Sequence, residues 1–194
     1  MARDRSGRPE AKPLRLFVAV TIPDEAKAAV ERTIAPWREV FPKARWVPAE
    51  NLHVTLKFLG RTWPRLAAWV PERVAEAAAS CVPFETRLDG VGSFPSRRKG
   101  RVLWAGLDDR AGRMAEVALA LDAALAKEFT PETRAFTAHL TVARSEPPLP
   151  LPETFAETEL EPVAWHVESV TLFQSFLQRP APRYEPLAAF TLGG

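Results

Sequence analysis

Cysteine is almost missing from this chain: Cys81 stands alone among 194 residues. No intramolecular disulfide can form, which excludes a small secreted scaffold held by cross-links. Cys81 lies in the apolar stretch "AEAAASCVPF" with no histidine nearby, so it reads as a buried structural thiol and not as a nucleophile. No apolar run approaches the roughly 20 residues needed to span a bilayer. The opening "MARDRSGRPEAKP" is charged and has no long apolar stretch, so it does not read as a secretory leader. Residues 1–13 are expected to form a disordered basic tail and 14–194 a single domain. A cytoplasmic monomer without membrane contact is the expectation. Neither sign of charge dominates: 26 Lys and Arg against 24 Asp and Glu leave a net +2. That balance neither demands nor forbids a nucleic-acid partner. Glycine is scarce, at 9 residues against 19 prolines, so the loops are stiff.

Histidine is scarcer still, with three in the chain, and two of them stand in near-copies of one pattern. The first is His53-Val54-Thr55-Leu56 in "NLHVTLKFLG"; the second is His139-Leu140-Thr141-Val142 in "FTAHLTVARS". Their separation of 139 − 53 = 86 residues is too long for a solenoid repeat and suits an internal duplication.

The surrounding pattern supports that view. "LRLFVAVTI" reads as a buried strand, and Pro23, Asp24 and Glu25 open a helix that Pro36 is expected to kink or end. A short strand over Ala44–Val47, the strand holding His53 and an Ala-rich helix over Pro64–Cys81 follow. "FETRLDGVGSF" and "RVLWAGL" read as strands around the basic turn "PSRRKGR". Met114, Val117, Leu121 and Leu125 recur on one face of a helix within Arg110–Phe129. "AFTAHLTVAR" is a strand, "SEPPLPLPETF" a Pro-rich loop, "AWHVESVTLFQSFL" a long and bent strand, and "RYEPLAAFTL" the last strand. The expected fold is α+β and bilobal: two pseudo-symmetric antiparallel-sheet lobes with outer helices and a central cleft that would hold a ligand.

Side chains alternate faces along a strand. His53 and Thr55 therefore share a face, as do His139 and Thr141, while Val54, Leu56, Leu140 and Val142 turn the other way and can be buried. Two such strands would bring two imidazoles and two hydroxyls to one cleft. One imidazole can act as base while the other acts as acid, and hydroxyls can donate to non-bridging phosphate oxygens. In-line displacement at a phosphodiester needs groups on both sides of the phosphorus. Neither a metal nor another cofactor is required. A zinc site is the rival use of paired histidines. It needs three or four ligands, and only His166, Cys81 and carboxylates remain to supply them. His166, in "AWHVES", reads as structural or surface.

The collinear series "RLFVAVTIP", "RWVPAENLHVTLKFLG", "GVGSFPSRRKGRVLWAGL", "HLTVAR" and "LFQSFL" resembles the 2H phosphoesterase superfamily, and within it the RNA 2′,3′-cyclic phosphodiesterases historically labelled 2′-5′ RNA ligases. The resemblance covers most of Leu14 to Leu192. It departs at Ala138, where the family often has proline, and at Pro182-Arg183-Tyr184, which keeps part of a Gly-Pro-x-Tyr pattern. It implies a bilobal α+β fold and metal-independent opening of a 2′,3′-cyclic phosphate at an RNA end, leaving a 2′-phosphate. It leaves open 2′-5′ ligation, cleavage of a small cyclic nucleotide such as ADP-ribose 1″,2″-cyclic phosphate, and a non-catalytic RNA-end-binding module.

The expected site has His53 and His139 as catalytic residues and Thr55 and Thr141 on the phosphate. Lys57 shares the alternation face of His53 and would add charge there. Arg144 matches a family arginine, yet strict alternation turns it away from His139, so a bulge has to bring it back. The basic turn offers Arg97, Arg98 and Arg101 to RNA backbone. Phe17, Trp46 and Tyr184 are candidates to stack on a terminal base, although Phe17 and Trp46 sit in strands where core roles are commoner.

Overall fold

The computed structural model describes residues 12–193. The expected tail at 1–13 lies, but for its last two residues, outside the described residues. In chain order the elements are β1 (Leu14–Thr21), α1 (Asp24–Val40), β2 (Arg45–Trp46), β3 (His53–Thr62), α2 (Trp69–Ala79), β4 (Phe84–Ser96), β5 (Lys99–Leu107), α3 (Arg113–Leu125), β6 (His139–Pro150), α4 (Glu153–Ala156), β7 (Ala164–Val167), β8 (Ser169–Phe176) and β9 (Arg183–Thr191). Short 3₁₀ turns over Ala49–Asn51 and Pro64–Leu66 precede β3 and α2.

Every strand pairing is antiparallel, and the order across the sheet is β7-β4-β5-β6-β3-β1-β8-β9, with β2 added to β6. The order reads symmetrically from the middle. One lobe is β3-β1-β8-β9 and the other is β6-β5-β4-β7. The two meet at a single residue pair, Val54 opposite Leu140. Both are the second residue of a His-x-Thr-x pattern, so the local two-fold axis passes between the two motifs. The expected α+β fold with two pseudo-symmetric antiparallel lobes is what the structure shows, and the two lobes join into one curled sheet.

Several elements differ from expectation in instructive ways. α1 runs through Pro36 to Val40, because a proline removes one donor without forbidding the turns after it. The Pro-rich stretch after His139 extends β6 to Pro150. Its far end pairs with β5, where Lys99 faces Pro150 and Gly100 faces Leu149. The expected long bent strand is two strands, β7 and β8, separated only by Glu168 and lying in opposite lobes.

The helices close the outer face. α3 buries Met114, Val117, Ala118, Leu121 and Leu125, the periodic face read from the sequence, and packs on β3 and α2. It therefore covers the lobe opposite to the one its own neighbours β5 and β6 build. α1 is tied to the segment after α4, with Trp37 donating to Thr158 at 3.1 Å and Arg32 to Glu161 at 2.5 Å. Val54, Leu56, Leu140 and Val142 are all core residues, and so is Cys81. Among the described residues no helix is long and apolar enough to cross a membrane.

Candidate active site

The antiparallel register through Val54 and Leu140 puts His53 across from Thr141 and Thr55 across from His139. All four side chains line one cleft of about 420 Å³, together with Arg144, Arg15, Phe17, Asn51, Phe58, Ser175, Leu177 and Tyr184. Two halves of the sequence 86 residues apart thus meet in one site.

The imidazoles are held alike. His53 Nδ1–H donates to the Asn51 carbonyl at 2.8 Å, and His139 Nδ1–H donates to the Thr137 carbonyl at 2.7 Å. Each acceptor lies two residues before its histidine. A carbonyl can only accept, so in both rings Nδ1 carries a proton, which leaves Nε2 of the neutral ring as the acceptor. The Nε2 of His53 takes a hydrogen bond from the Thr55 hydroxyl at 3.0 Å. Aromatic walls pack each ring: Phe17 and Tyr184 lie 4.9 and 5.3 Å from His53, and Phe94 stands edge-on to His139 at 5.2 Å. Phe94 in turn meets Trp104, whose indole lies across Gly92 so closely that a Cβ there would stand 2.3 Å from it.

Burial among these rings pushes both imidazoles toward the neutral form, below the ordinary value of 6.5. The Asn51 and Thr137 carbonyls oppose this by favouring the charged rings. The Arg144 guanidinium reinforces it at both, and the charge of His139 adds to it at His53. Burial also raises the Tyr184 phenol. Burial thus poises both histidines as acceptors. An anion in the cleft would reverse the balance.

A shared irregularity decides which further residues reach the cleft. Ala19 faces Thr55 and Val18 faces Lys57, so Leu56 is an extra residue in β3. Trp104 faces Thr141 and Leu103 faces Ala143, so Val142 is extra in β6. Both bulges fall on the fourth residue of the motif, and each resets the alternation. Arg144 is returned to the cleft, as expected of a bulge. Lys57 is turned away from it, which overturns its expected place beside His53. The side chain is 6% exposed, its ammonium ion-paired with Asp122 of α3 and bonded to the Thr130 carbonyl at 2.8 Å. Phe58 takes the position in the first strand that Arg144 takes in the second, five residues after the histidine. It is 52% exposed, lies in the cleft and carries the Arg15 guanidinium 4.7 Å above its ring. The site is thus symmetric in its histidines and threonines and asymmetric in what flanks them, with Phe58 under Arg15 on one side and Arg144 on the other.

The remaining expectations divide. Tyr184 lines the cleft. Phe17 does too but is 3% exposed, its ring stacked on Phe173 and against His53, so it buttresses the imidazole and offers no face to a base. Trp46 is partly buried, donates to the Phe41 carbonyl at 3.2 Å and carries Arg38 over its ring, so it is a packing residue. Arg97 and Arg98 form the tight turn between β4 and β5, outside the cleft lining. Arg98 pairs with Glu153 at 3.3 Å and Arg101 with Glu146. His166 is exposed on β7, 3.7 Å from Glu85. Sequence reading missed Phe58, Arg15 and Asn51, whose amide donates to the Pro182 carbonyl at 2.7 Å. The equal offset of Phe58 and Arg144 from their histidines was the available signal for the first. Among the described residues no group of three or more His, Cys, Asp or Glu gathers.

The curled antiparallel sheet thus carries a two-fold pair of His-x-Thr strands, with Arg144 and Arg15 in the cleft between them. A crystal structure of a Thermus thermophilus protein superposes with a TM-score of 0.77 at 30% identity, covering 93% of this chain and 99% of that one. E. coli LigT complexed with 3′-AMP superposes with a TM-score of 0.72 at 26% identity, over 93% and 99% of the two chains. Residues 22–175 match the model of the 2′-5′ RNA ligase superfamily, and the chain belongs to that family. Relatives of this chain bear the name RNA 2′,3′-cyclic phosphodiesterase. The Archaeoglobus fulgidus protein is 32% identical over 186 residues, which is 91% of this chain and 99% of that protein. The Geobacillus stearothermophilus protein is 32% identical over 181 residues; the match takes in 92% of this chain and spans 57% of the relative's length.

Proposed function

We propose that the protein is an RNA 2′,3′-cyclic phosphodiesterase that opens the cyclic phosphate to a 2′-phosphate without a metal. The observation that carries this reading is the pair of imidazoles held with Nε2 facing one cleft that also contains Arg144. The names of the relatives support the substrate class. We place the enzyme in the cytoplasm, acting as a monomer.

In the proposed reaction a cyclic phosphate lies between the two strands, its non-bridging oxygens bonded by Thr55 and Thr141 and neutralised by Arg144. His139 Nε2 takes a proton from a water whose oxygen attacks phosphorus. The P–O3′ bond breaks in line with the attack, and protonated His53 delivers its proton to the departing O3′. One water is consumed, one proton passes to each side, and the products are a 2′-phosphate and a free 3′ hydroxyl. The low proton affinity that burial gives His53 makes its protonated form a strong acid, which suits protonation of an alkoxide. The bound phosphate supplies the negative charge that lets the ring be protonated first. The aromatic side of the cleft, Phe58 and Tyr184, suits a terminal base, and the cationic side suits phosphate.

The test is a comparison of a cyclic-phosphate-ended oligoribonucleotide with a cyclic mononucleotide, both with EDTA present, followed by identification of the product isomer. Turnover of the oligonucleotide to a 2′-phosphate with EDTA present is expected. A 3′-phosphate product would reverse the roles around phosphorus, and inhibition by EDTA would remove the metal-free mechanism. The same site with a 5′ hydroxyl end in place of water, attacking a cyclic phosphate, would give the 2′-5′ linkage for which the family is named.

The pH dependence follows from the site. In the free enzyme both imidazoles are held below 6.5, and kcat/KM reports the free enzyme. In the complex the phosphate anion favours the imidazolium form and raises both. The diester itself does not titrate in this range. The kcat/KM profile should therefore peak at a more acid pH than the kcat profile. The opposite order would contradict the electrostatic account.

RNA beyond the terminal nucleotide is proposed to meet the β4–β5 turn. Reversing charge at Arg97 and Arg98 should then weaken binding of an oligonucleotide and flatten its salt dependence while leaving a cyclic mononucleotide unaffected. Unchanged oligonucleotide affinity would remove the turn from the binding path.

A further inference from the structure

The proposed mechanism leaves one buried charged pair unused. Lys57 lies two residues past Thr55 on the strand of His53, yet it points through the sheet to α3. There its ammonium is paired with Asp122, whose side chain is 17% exposed, and bonded to the Thr130 carbonyl at 2.8 Å. Asp122 also accepts the backbone N–H of Glu132, at 3.1 and 3.2 Å to its two oxygens. One carboxylate therefore ties together β3, α3 and the connection that runs from α3 to β6.

That connection, residues 126–138, contains no helix or strand of its own. Five residues after Glu132 it reaches Thr137, whose carbonyl receives His139 Nδ1–H. The next residue, Ala138, accepts Leu107 N–H at 3.3 Å, and His139 follows. On the other side of the two-fold axis, Asn51 gives the matching carbonyl to His53. Its segment is anchored differently, by a 3₁₀ turn and the Asn51 amide on Pro182. The position equivalent to Lys57 in the second strand is Ala143, which is fully buried and has no charge to offer. The link is thus one-sided: the strand of His53 holds the approach to His139.

A buried ion pair often adds little net stability over an apolar pair of the same volume, so its better-attested use is to fix one arrangement among several. We infer that Lys57 and Asp122 are positioning residues for His139. They fix the segment from Thr130 to Thr137 against the strand of His53, so that the two Nε2 atoms open on the cleft at a set separation. This inference rests on the two-histidine reading of the site.

Two variants test it. Lys57→Met removes the ammonium and keeps a flexible side chain of similar length. The double variant Lys57→Met with Asp122→Asn removes both charges, and its amide oxygen still accepts from Glu132. With a cyclic-phosphate-ended oligonucleotide, kcat of either variant should fall roughly 10–100-fold with KM little changed, the effect expected when a reacting group is displaced by a fraction of an ångström to an ångström. In NMR spectra of the free protein, the ring resonances and titration of His139 should shift while those of His53 stay. Lys57→Arg, which keeps the charge, should recover part of kcat. Folded variants with parental kcat and unmoved His139 signals would show the pair to be purely structural and overturn the inference. The NMR arm needs no turnover, so an inactive parent enzyme would count against the proposed reaction and leave the positioning of His139 to be judged separately.

Discussion

Alanine at His53 or at His139 is expected to lower kcat on a cyclic-phosphate-ended oligonucleotide by ~10²–10⁴-fold, the usual value of one acid or base. Either loss should be nearly as severe as both together. In the proposed reaction the two rings act on opposite sides of one phosphorus in one displacement, and groups that work as a unit are not additive. The fold should tolerate both changes. Each ring's Nδ1 bonds only to a carbonyl two residues earlier, and the core contacts of the two strands come from Val54, Leu56, Leu140 and Val142. The measurement is single-turnover kinetics beside a thermal melt. Full activity in either variant would remove the two-histidine relay.

Arg144→Ala is expected to cost about 10²–10³-fold in kcat, comparable to the loss of one preorganised donor to a developing anion. A second readout carries a sign. The guanidinium lowers the proton affinity of both imidazoles, so its removal should move both histidine titrations to higher pH and carry the kcat/KM optimum with them. A variant that loses rate with no upward movement of either histidine would place Arg144 outside the electrostatic field of the site. Lys57→Met offers the contrast, because Lys57 faces away from the cleft and should leave His53 where it is.

The contrast between those two residues explains how far the sequence can be read. Hydrophobic alternation identifies the strands, the apolar faces of Val54, Leu56, Leu140 and Val142, and the shared face of each His-Thr pair. These properties need only a regular strand. Beyond the threonine the strand is irregular, and parity counting fails by one. At Arg144 a family match demands the bulge that the structure shows. At Lys57 plain alternation offers no such demand, so the same bulge in the first motif goes unseen, Lys57 is misplaced and Phe58 is passed over. Helix α3 and the buried Cys81 are legible from periodicity and context. The crossing at Glu168 is not, because β7 and β8 each look like ordinary strands and only tertiary pairing sends them to different lobes. Phe17 shows the limit from the other side. Its burial is the commoner outcome for a strand aromatic, and its packing on His53 is visible only in three dimensions.

The strand order has a consequence for synthesis. Among the described strands β1 is the earliest to be synthesised, and its outer partner β8 lies about 150 residues later, with β9 after that. The lobe that holds His53 also waits for α3 to cover β3. The nascent chain must therefore carry an apolar strand with one unpaired edge through most of translation, a state open to mispairing with other chains. The second lobe gathers β4, β5, β6 and β7 with far shorter delays. Vectorial folding should begin around His139, and chaperone dependence should concentrate on β1.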